Sequence, residues 1–139
     1  MNRVLTTAVI AAALLVSFIP AANASGLPDT RLRIQSVVLE PSSGTVTVTA
    51  RTKCSGEGTM RWETSLRQGA RHDRARQDVP CDGVARTQTL TLESRAGRFH
   101  AGRAIFMSGD IICGIDICIG GATAGPIRLL PHQSPTDQT

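Results

Sequence analysis

The chain has 139 residues, with 15 lysines and arginines against 11 acidic residues, and aromatic residues make up only 3% of it. This length supports one hydrophobic core and is too short for two independently folded domains. So few aromatic residues argue against a surface of stacking rings, on which single-stranded nucleic acids and carbohydrates are usually bound. We therefore expect no specific nucleic-acid partner.

The first 24 residues have the pattern of a secretory signal peptide. Arg3 precedes an apolar stretch from Val4 to Ile19, and Ala22-Asn23-Ala24 supplies the small residues of a cleavage site. The stretch is shorter than the roughly 20 residues that span a bilayer, and Pro20 interrupts it. We expect a secreted, extracellular chain that begins at Ser25 and has no membrane anchor once the signal is removed.

From residue 25 to residue 131 the sequence alternates apolar and polar residues, with the period of two that is typical of β-strands. The first half predicts three strands separated by two turns, which contain glycine and serine. The strands are Leu32–Val38, Val46–Cys54 and Met60–Leu66, and the turns are Pro41–Gly44 and Ser55–Gly58.

The second half has a weaker pattern. Its first segment, Gln68–Asp78, is polar and rich in arginine, and we expect a loop or a short edge strand. The remaining predicted strands are Val84–Leu92, Phe99–Met107, a strand-turn-strand over Ile111–Ile119, and Gly125–Leu130. Segments that contain glycine separate them: a turn at Cys81–Gly83, the end of a strand at Ser108–Gly109 and a break at Gly120–Gly121.

Seven or so short strands at about ten-residue spacing, with no convincing helix, indicate an all-β fold. An immunoglobulin-like antiparallel β-sandwich fits this spacing better than a barrel. Residues 132–139 have no apolar anchor, and we expect them to be a disordered tail. The predicted core consists of Trp62, Leu66, Leu90, Leu92, Phe106, Ile127 and Leu129.

Four cysteines can pair in three ways, and their spacing favours one of them. Only four residues separate Cys113 from Cys118, which allows a bridge across a tight hairpin and leaves Cys54 to pair with Cys81. An oxidising compartment favours disulfides over a zinc site, whose two-residue cysteine spacing is also missing. The three histidines are scattered, and we expect no metal and no cofactor; they are His72, His100 and His132.

No sequence motif of an enzyme is present. There is no Gly-x-Ser-x-Gly elbow, no phosphate-binding glycine loop and no His-Glu-x-x-His helix. We therefore expect a non-enzymatic binding module. Its candidate interaction surface is the densest cluster of charge, which could meet an extracellular protein, an anionic polymer or a small molecule; the cluster is Arg67, Arg71, His72, Arg74 and Arg76.

Three sequence segments carry a resemblance to small secreted proteins of actinobacteria. They are GTVTVTARTKC at 44–54, VPCDGVARTQTLTL at 79–92 and GRFHAGRAIFMSG at 97–109. The shared features are a cysteine that ends a Thr/Val strand, a Cys-Asp-Gly turn and a Phe-x-x-Gly-x-Ala strand entry. The resemblance implies a secreted immunoglobulin-like sandwich and brings no catalytic residues with it.

A second resemblance is to the chromophore-binding apoproteins of the neocarzinostatin type. It is carried by PSSG at 41–44 and by the cysteine hairpin Cys113–Cys118, which a Gly/Ala-rich turn and a closing strand follow. This resemblance implies a carrier of small molecules. The present chain differs in its basic charge, its longer first cysteine loop and its few aromatic residues.

A third class of function is a secreted protease inhibitor. A rigid loop before Cys81 that carries the arginines between Arg67 and Arg76 could present a basic side chain to a trypsin-like protease. The glycine, alanine and polar residues of this segment do not indicate such rigidity.

Overall fold

The computed structural model describes residues 26–132; the predicted signal peptide and most of the predicted tail lie outside them. Within these residues the chain is all-β, and no helix is long and apolar enough to cross a membrane. The seven strands are β1 (Asp29–Glu40), β2 (Thr45–Ser55), β3 (Thr59–Gln68), β4 (Arg71–Val79), β5 (Arg86–Leu92), β6 (Gly102–Cys113) and β7 (Cys118–Leu129).

The strands form two antiparallel sheets that pack face to face. One sheet has three strands in the order β1-β2-β5, and the other has four in the order β4-β3-β6-β7. The predicted immunoglobulin-like β-sandwich is therefore confirmed. Compared with an immunoglobulin constant domain, the fourth strand pairs with the third rather than with the fifth, so that the larger sheet contains β4.

Alternating side chains of both sheets fill the core between them. Trp62, Leu66, Leu92 and Leu129 are fully buried, as the sequence predicted. Leu90, Phe106 and Ile127 pack against this core but are only partly buried. Positions that the prediction omitted complete the buried hydrophobic set of the described residues: Leu39, Val46, Val48, Ala50, Cys54, Met60, Val79, Phe99 and Ala104.

The buried Trp62 has a polar partner for its indole. Its Nε1 donates a hydrogen bond to Ser108 Oγ at 3.1 Å, and Ser108 Oγ donates in turn to the carbonyl of Glu63 at 3.5 Å. A buried N–H group without a partner would cost about 1–3 kcal/mol. This chain of hydrogen bonds therefore fixes the facing positions of β3 and β6.

Both predicted disulfides are confirmed. Cys54 at the end of β2 pairs with Cys81, which follows β4, so this bridge joins the two sheets. Cys113 and Cys118 close the hairpin between β6 and β7, with their Cα atoms 4.0 Å apart. All four cysteines of the chain are thus paired.

Several predicted boundaries are wrong, because glycine and polar composition were taken as signs of turns. Of the two alternatives predicted for Gln68–Asp78, the edge strand is confirmed: β4 covers nine residues at the edge of the four-stranded sheet. Strand β6 continues through Ser108–Gly109, and β7 continues through Gly120–Gly121. A Cβ at Gly109 would overlap the backbone of β7, so this glycine permits close approach of two strands instead of ending one.

The strand ends also differ from prediction. Strand β5 begins at Arg86, two residues after Val84, and β6 begins at Gly102 instead of Phe99. Phe99 lies before the strand and donates its N–H to the carbonyl of Gly44 at 3.0 Å, which ties this segment to the β1–β2 turn. Gly44 has φ of +68°, a conformation that glycine adopts readily.

The chain after β7 crosses back to the three-stranded sheet. Leu39 donates its N–H to the carbonyl of Leu130 at 3.2 Å, and His132 donates to the carbonyl of Leu39 at 2.9 Å. His132 was assigned to the disordered tail, and its backbone is held at this point; residues 133–139 lie outside the described part. These bonds join the two sheets at the end of β1.

Candidate functional site

The outer face of the four-stranded sheet carries two kinds of surface. Directly paired residues on neighbouring strands point to the same side of a sheet, so the register defines this face. Its β4 and β3 half is charged, and its β6 and β7 half is apolar or small apart from Arg103 and Arg128, which are exposed and paired with each other at one end of the face. Each strand contributes one row to this face, with paired residues in the same position of each row. The rows are His72, Arg74, Arg76 and Asp78 on β4; Arg67, Ser65, Glu63 and Arg61 on β3; Ile105, Met107, Gly109 and Ile111 on β6; and Pro126, Ala124, Ala122 and Gly120 on β7.

This face gathers four of the five residues of the predicted interaction surface. Arg67 on β3 is paired with His72 on β4, and Arg74 and Arg76 follow His72 at every second position. All four are exposed. The prediction took these residues as one cluster along the sequence, and the alternation of the strand divides that cluster between two faces.

Arg71 is the residue that does not join them. It lies on the inner face of β4, and its Nε is buried without a hydrogen-bond partner in the described part of the chain. A Cβ built on Gly97 would be 3.3 Å from that Nε, which places the side chain against the β5–β6 connection. Arg71 is thus part of the packing between the sheets and is separate from the outer face.

The charges of the outer face are only partly neutralised. Arg61 forms an ion pair with Asp78, with Nε 2.8 Å from Oδ1, and this carboxylate raises the pKa of Arg61. Within residues 26–132, neither Arg74 nor Arg76 has a carboxylate oxygen closer than 4.0 Å. Arg76 is paired directly with Glu63, whereas Arg74 is paired with Ser65, so Arg74 is the more available of the two to an anion from solution.

Three adjoining open depressions run along β3 on this face. The central one, of about 280 Å³, is bordered by Glu63 and Arg74 on one side and by Met107 and Ile111 on the other. It shares Ser65, Arg74 and Met107 with a depression of about 550 Å³ near the β3–β4 turn. It shares Ile111 with one of about 420 Å³ beside Cys113. We call these three neighbouring depressions together the β3 groove.

Small residues of β6 and β7 keep the apolar side of the groove low. Gly109, Gly120 and Ala122 line its central part beside Met107. Gly109 cannot be enlarged without moving the backbone of β7, because a Cβ there would overlap Gly121 and Ala122. The sequence analysis missed this side of the site, although the alternation Ile105, Met107, Gly109, Ile111 is visible once β6 is taken as one strand.

Two of the three described histidines have ring nitrogens within hydrogen-bond distance of a backbone carbonyl. His72 Nδ1 lies 3.5 Å from the carbonyl of Ala70, and His100 Nδ1 lies 3.0 Å from the carbonyl of Ala101. Within residues 26–132, no group of three or more His, Cys, Asp or Glu side chains has the geometry to hold a metal ion. The groove offers positive charge, a concave shape and apolar surface, which are properties through which a protein binds a ligand.

Comparisons with known proteins place this site in no established context. No family model matches the chain, and no curated protein matches its sequence.

Proposed function

We propose that the protein is a secreted, non-enzymatic binding protein that holds an amphipathic anion in the β3 groove. One observation carries the proposal: Arg74, which has no carboxylate oxygen within 4.0 Å in the described part of the chain, borders one side of the central depression with Glu63, and Met107 and Ile111 border the other. The planar guanidinium of an arginine matches carboxylate, sulfate and phosphate groups. An apolar body attached to such a group would lie on the β6 side.

Two further observations support this reading. The predicted signal peptide and the two disulfides are compatible with an extracellular protein. The resemblance to chromophore-binding apoproteins also implies a carrier of small molecules.

The proposal is tested with a pair of fluorescent probes that differ in one charged group. We expect 1-anilinonaphthalene-8-sulfonate to bind more tightly than its uncharged analogue, N-phenyl-1-naphthylamine. Arg74→Gln should weaken binding of the anion by about tenfold or more, because a hydrogen bond to a charged group contributes about 1.5–3 kcal/mol. Met107→Gln should weaken binding of both probes, since it removes apolar surface.

Arg95→Gln is the matched control for charge, because Arg95 is exposed in the β5–β6 connection, away from the groove. Unfolding midpoints of all variants confirm that the probes meet folded protein. Equal affinity of Arg74→Gln and Arg95→Gln for the anion, or equal affinity of the wild type for both probes, contradicts the proposal.

The protease-inhibitor alternative loses its main argument. It required a loop that presents arginines, whereas residues 71–79 pair along their whole length with β3. Only Gly69 and Ala70 form the turn between these strands. Incubation with trypsin distinguishes the two functions, because an inhibitor forms a stable complex and a paired edge strand resists cleavage without inhibiting.

A further inference from the structure

The outer face of the three-stranded sheet carries a second cluster of positive charge, whose residues are not close together in the sequence. Arg31 is paired directly with Lys53, and Arg33 is paired directly with Arg51. The four residues come from two strands and are separated in sequence by as many as 22 positions. Only the register of β1 against β2 brings them together, and we call them the basic quartet.

The basic quartet has no close acidic partner. The two ion pairs within 4.0 Å in residues 26–132 are Arg61–Asp78 and Arg86–Asp82, and neither includes a member of the quartet. Asp29 is the next outward residue to Arg31 on β1, about 6.7 Å along the strand, so it offsets part of the positive charge at one end of the quartet. Glu40 lies at the far end of β1, opposite Thr45. Like charges directly opposite each other in a sheet destabilise it, so a bound anion would relieve a repulsion that the folded chain carries.

The separations within the quartet let its charges act together. Paired side chains of neighbouring strands have Cβ atoms about 4.5–5.5 Å apart, and successive outward residues on one strand are about 6.7 Å apart. Both distances are shorter than the Debye length of about 8 Å at physiological ionic strength. The quartet therefore presents one local field to an approaching anion.

Hydroxyl groups continue the same face beyond the quartet. Thr49 and Thr89 are paired across β2 and β5, with their Oγ1 atoms 3.5 Å apart. Hydroxyls both donate and accept hydrogen bonds, and the donated bond suits an oxyanion. The two rows of outward threonines are Thr45, Thr47 and Thr49 on β2 and Thr87, Thr89 and Thr91 on β5.

The composition of the face narrows the class of anion. The chain has one tryptophan, three phenylalanines and no tyrosine. Of these, Trp62 and Phe99 are buried, and Phe106 packs against the core. None of the outward residues of β1, β2 and β5 is aromatic, so this face has no ring on which a base or a sugar could stack.

From the register, the unpaired charge and the hydroxyl rows, we propose that this face binds a linear phosphate polymer without stacking bases. The guanidinium groups and Lys53 would contact successive phosphates, and threonine hydroxyls would donate to their oxygens. This surface is on the opposite side of the sandwich from the β3 groove. The proposal does not depend on the one made for that groove.

The test is a titration of the oxidised, full chain with fluorescently labelled inorganic polyphosphate, followed by anisotropy at several salt concentrations. Arg33→Gln/Arg51→Gln should weaken binding by roughly tenfold. The slope of log K against log salt should also decrease in magnitude by about 1.4, since each phosphate contact on a flexible strand contributes about 0.7.

Arg95→Gln/Arg128→Gln is the control, because it removes the same charge from two exposed positions outside the quartet. Arg95 lies in the β5–β6 connection, and Arg128 lies on the outer face of the other sheet, paired with Arg103. This variant should keep the affinity and most of the slope. The quartet variant should unfold at the same or a higher denaturant concentration than the wild type, which excludes loss of folding as the cause. Equal weakening by both double variants shows binding through net charge alone and overturns the proposal.

Competitors of equal charge identify the anion. Polyphosphate should compete better than heparin, single-stranded DNA or polyglutamate for the labelled probe. Tighter binding of the sulfated polysaccharide or of DNA overturns the assignment to a phosphate polymer, and so does the absence of measurable polyphosphate binding at physiological salt.

Discussion

At the scale of single residues, Asp110 stands out because it is a carboxylate on the inner face of a sandwich. It is paired with Trp62 on β3 and with Gly121 on β7. Partial burial raises the pKa of this carboxyl group, since desolvation disfavours the charged form. At neutral pH the ionised Asp110 therefore costs more free energy in the folded chain than in the unfolded chain.

This cost predicts a pH-dependent effect of Asp110→Asn. The penalty on the wild type is fully present above the raised folded pKa and disappears below the unfolded value near 3.8. We expect the variant to be more stable than the wild type at pH 7, and the difference to shrink as the pH falls towards 3.8. Urea unfolding at a series of pH values measures it.

Asp116→Asn is the control for this experiment, because it makes the same change of charge at an exposed position in the β6–β7 hairpin. It should leave the stability at pH 7 close to that of the wild type. A loss of stability in Asp110→Asn at pH 7 would show that the ionised carboxylate is a favourable part of the fold, contrary to the prediction.

At the scale of elements, the two disulfides close loops of different length, and we therefore expect them to contribute different amounts to the free energy of unfolding. Cys54–Cys81 joins the two sheets across 27 positions, and Cys113–Cys118 closes a hairpin across five. The loop-entropy model gives about 3–4 kcal/mol for the first bridge and about 2 kcal/mol for the second. The loss of stability on removing each bridge should follow the same order.

We predict that Cys54→Ala/Cys81→Ala lowers the free energy of unfolding by the larger amount and Cys113→Ala/Cys118→Ala by the smaller. Denaturant unfolding of both double variants beside the oxidised wild type measures the difference. Cys54 is fully buried, so its replacement also removes packing and adds to the loss. A larger loss in the hairpin variant would contradict this ranking.

The strands show which parts of the fold a single sequence can predict. The period of two in β2 and β3 is strict, and both strands lie within one or two residues of their predicted bounds. Gly109 of β6 gave a wrong boundary, because its role depends on the distance between two strands. Gly120 and Gly121 of β7 are not in such a close approach, and they lie in a paired strand although their composition suggested a break. The distance between two strands is a property of pairing, which the local sequence does not contain.

The dependence on strand pairing also explains which of the candidate surfaces could be predicted from the sequence. The arginines of β4 are close together in sequence, and the cluster was predictable apart from the face on which Arg71 lies. The apolar side of the β3 groove and the basic quartet both depend on the register between strands. A cross-strand surface of this kind has no signal in a linear sequence until its pairing is known.

At the scale of the whole molecule, the sandwich has two outer faces with different chemistry. One is a groove beside Arg74 and apolar side chains, and the other presents positive charge and hydroxyl groups. The core and the sheet-joining disulfide lie between them. The arrangement permits the two proposed ligands to bind without competing for a surface.

The first described residues bear on where the mature chain begins. Pro28 is buried, and a Cβ at Gly58 would be 3.1 Å from its Cδ. Gly114, in the disulfide hairpin, leaves no room for a Cβ beside the carbonyl of Gly26. Cleavage after Ala24 would keep these contacts, whereas cleavage a few residues later would remove them.

We therefore predict that protein recovered from the medium of a secreting host begins at Ser25 and contains both disulfides. Its intact mass should be four hydrogens below that of the reduced chain from residue 25, and four cysteines should become available to alkylation only after reduction. Peptide mapping should find Cys54 linked to Cys81 and Cys113 linked to Cys118. An intact leader, or thiols that react before reduction, would contradict secretion as an oxidised domain and would remove one support of the proposed extracellular function.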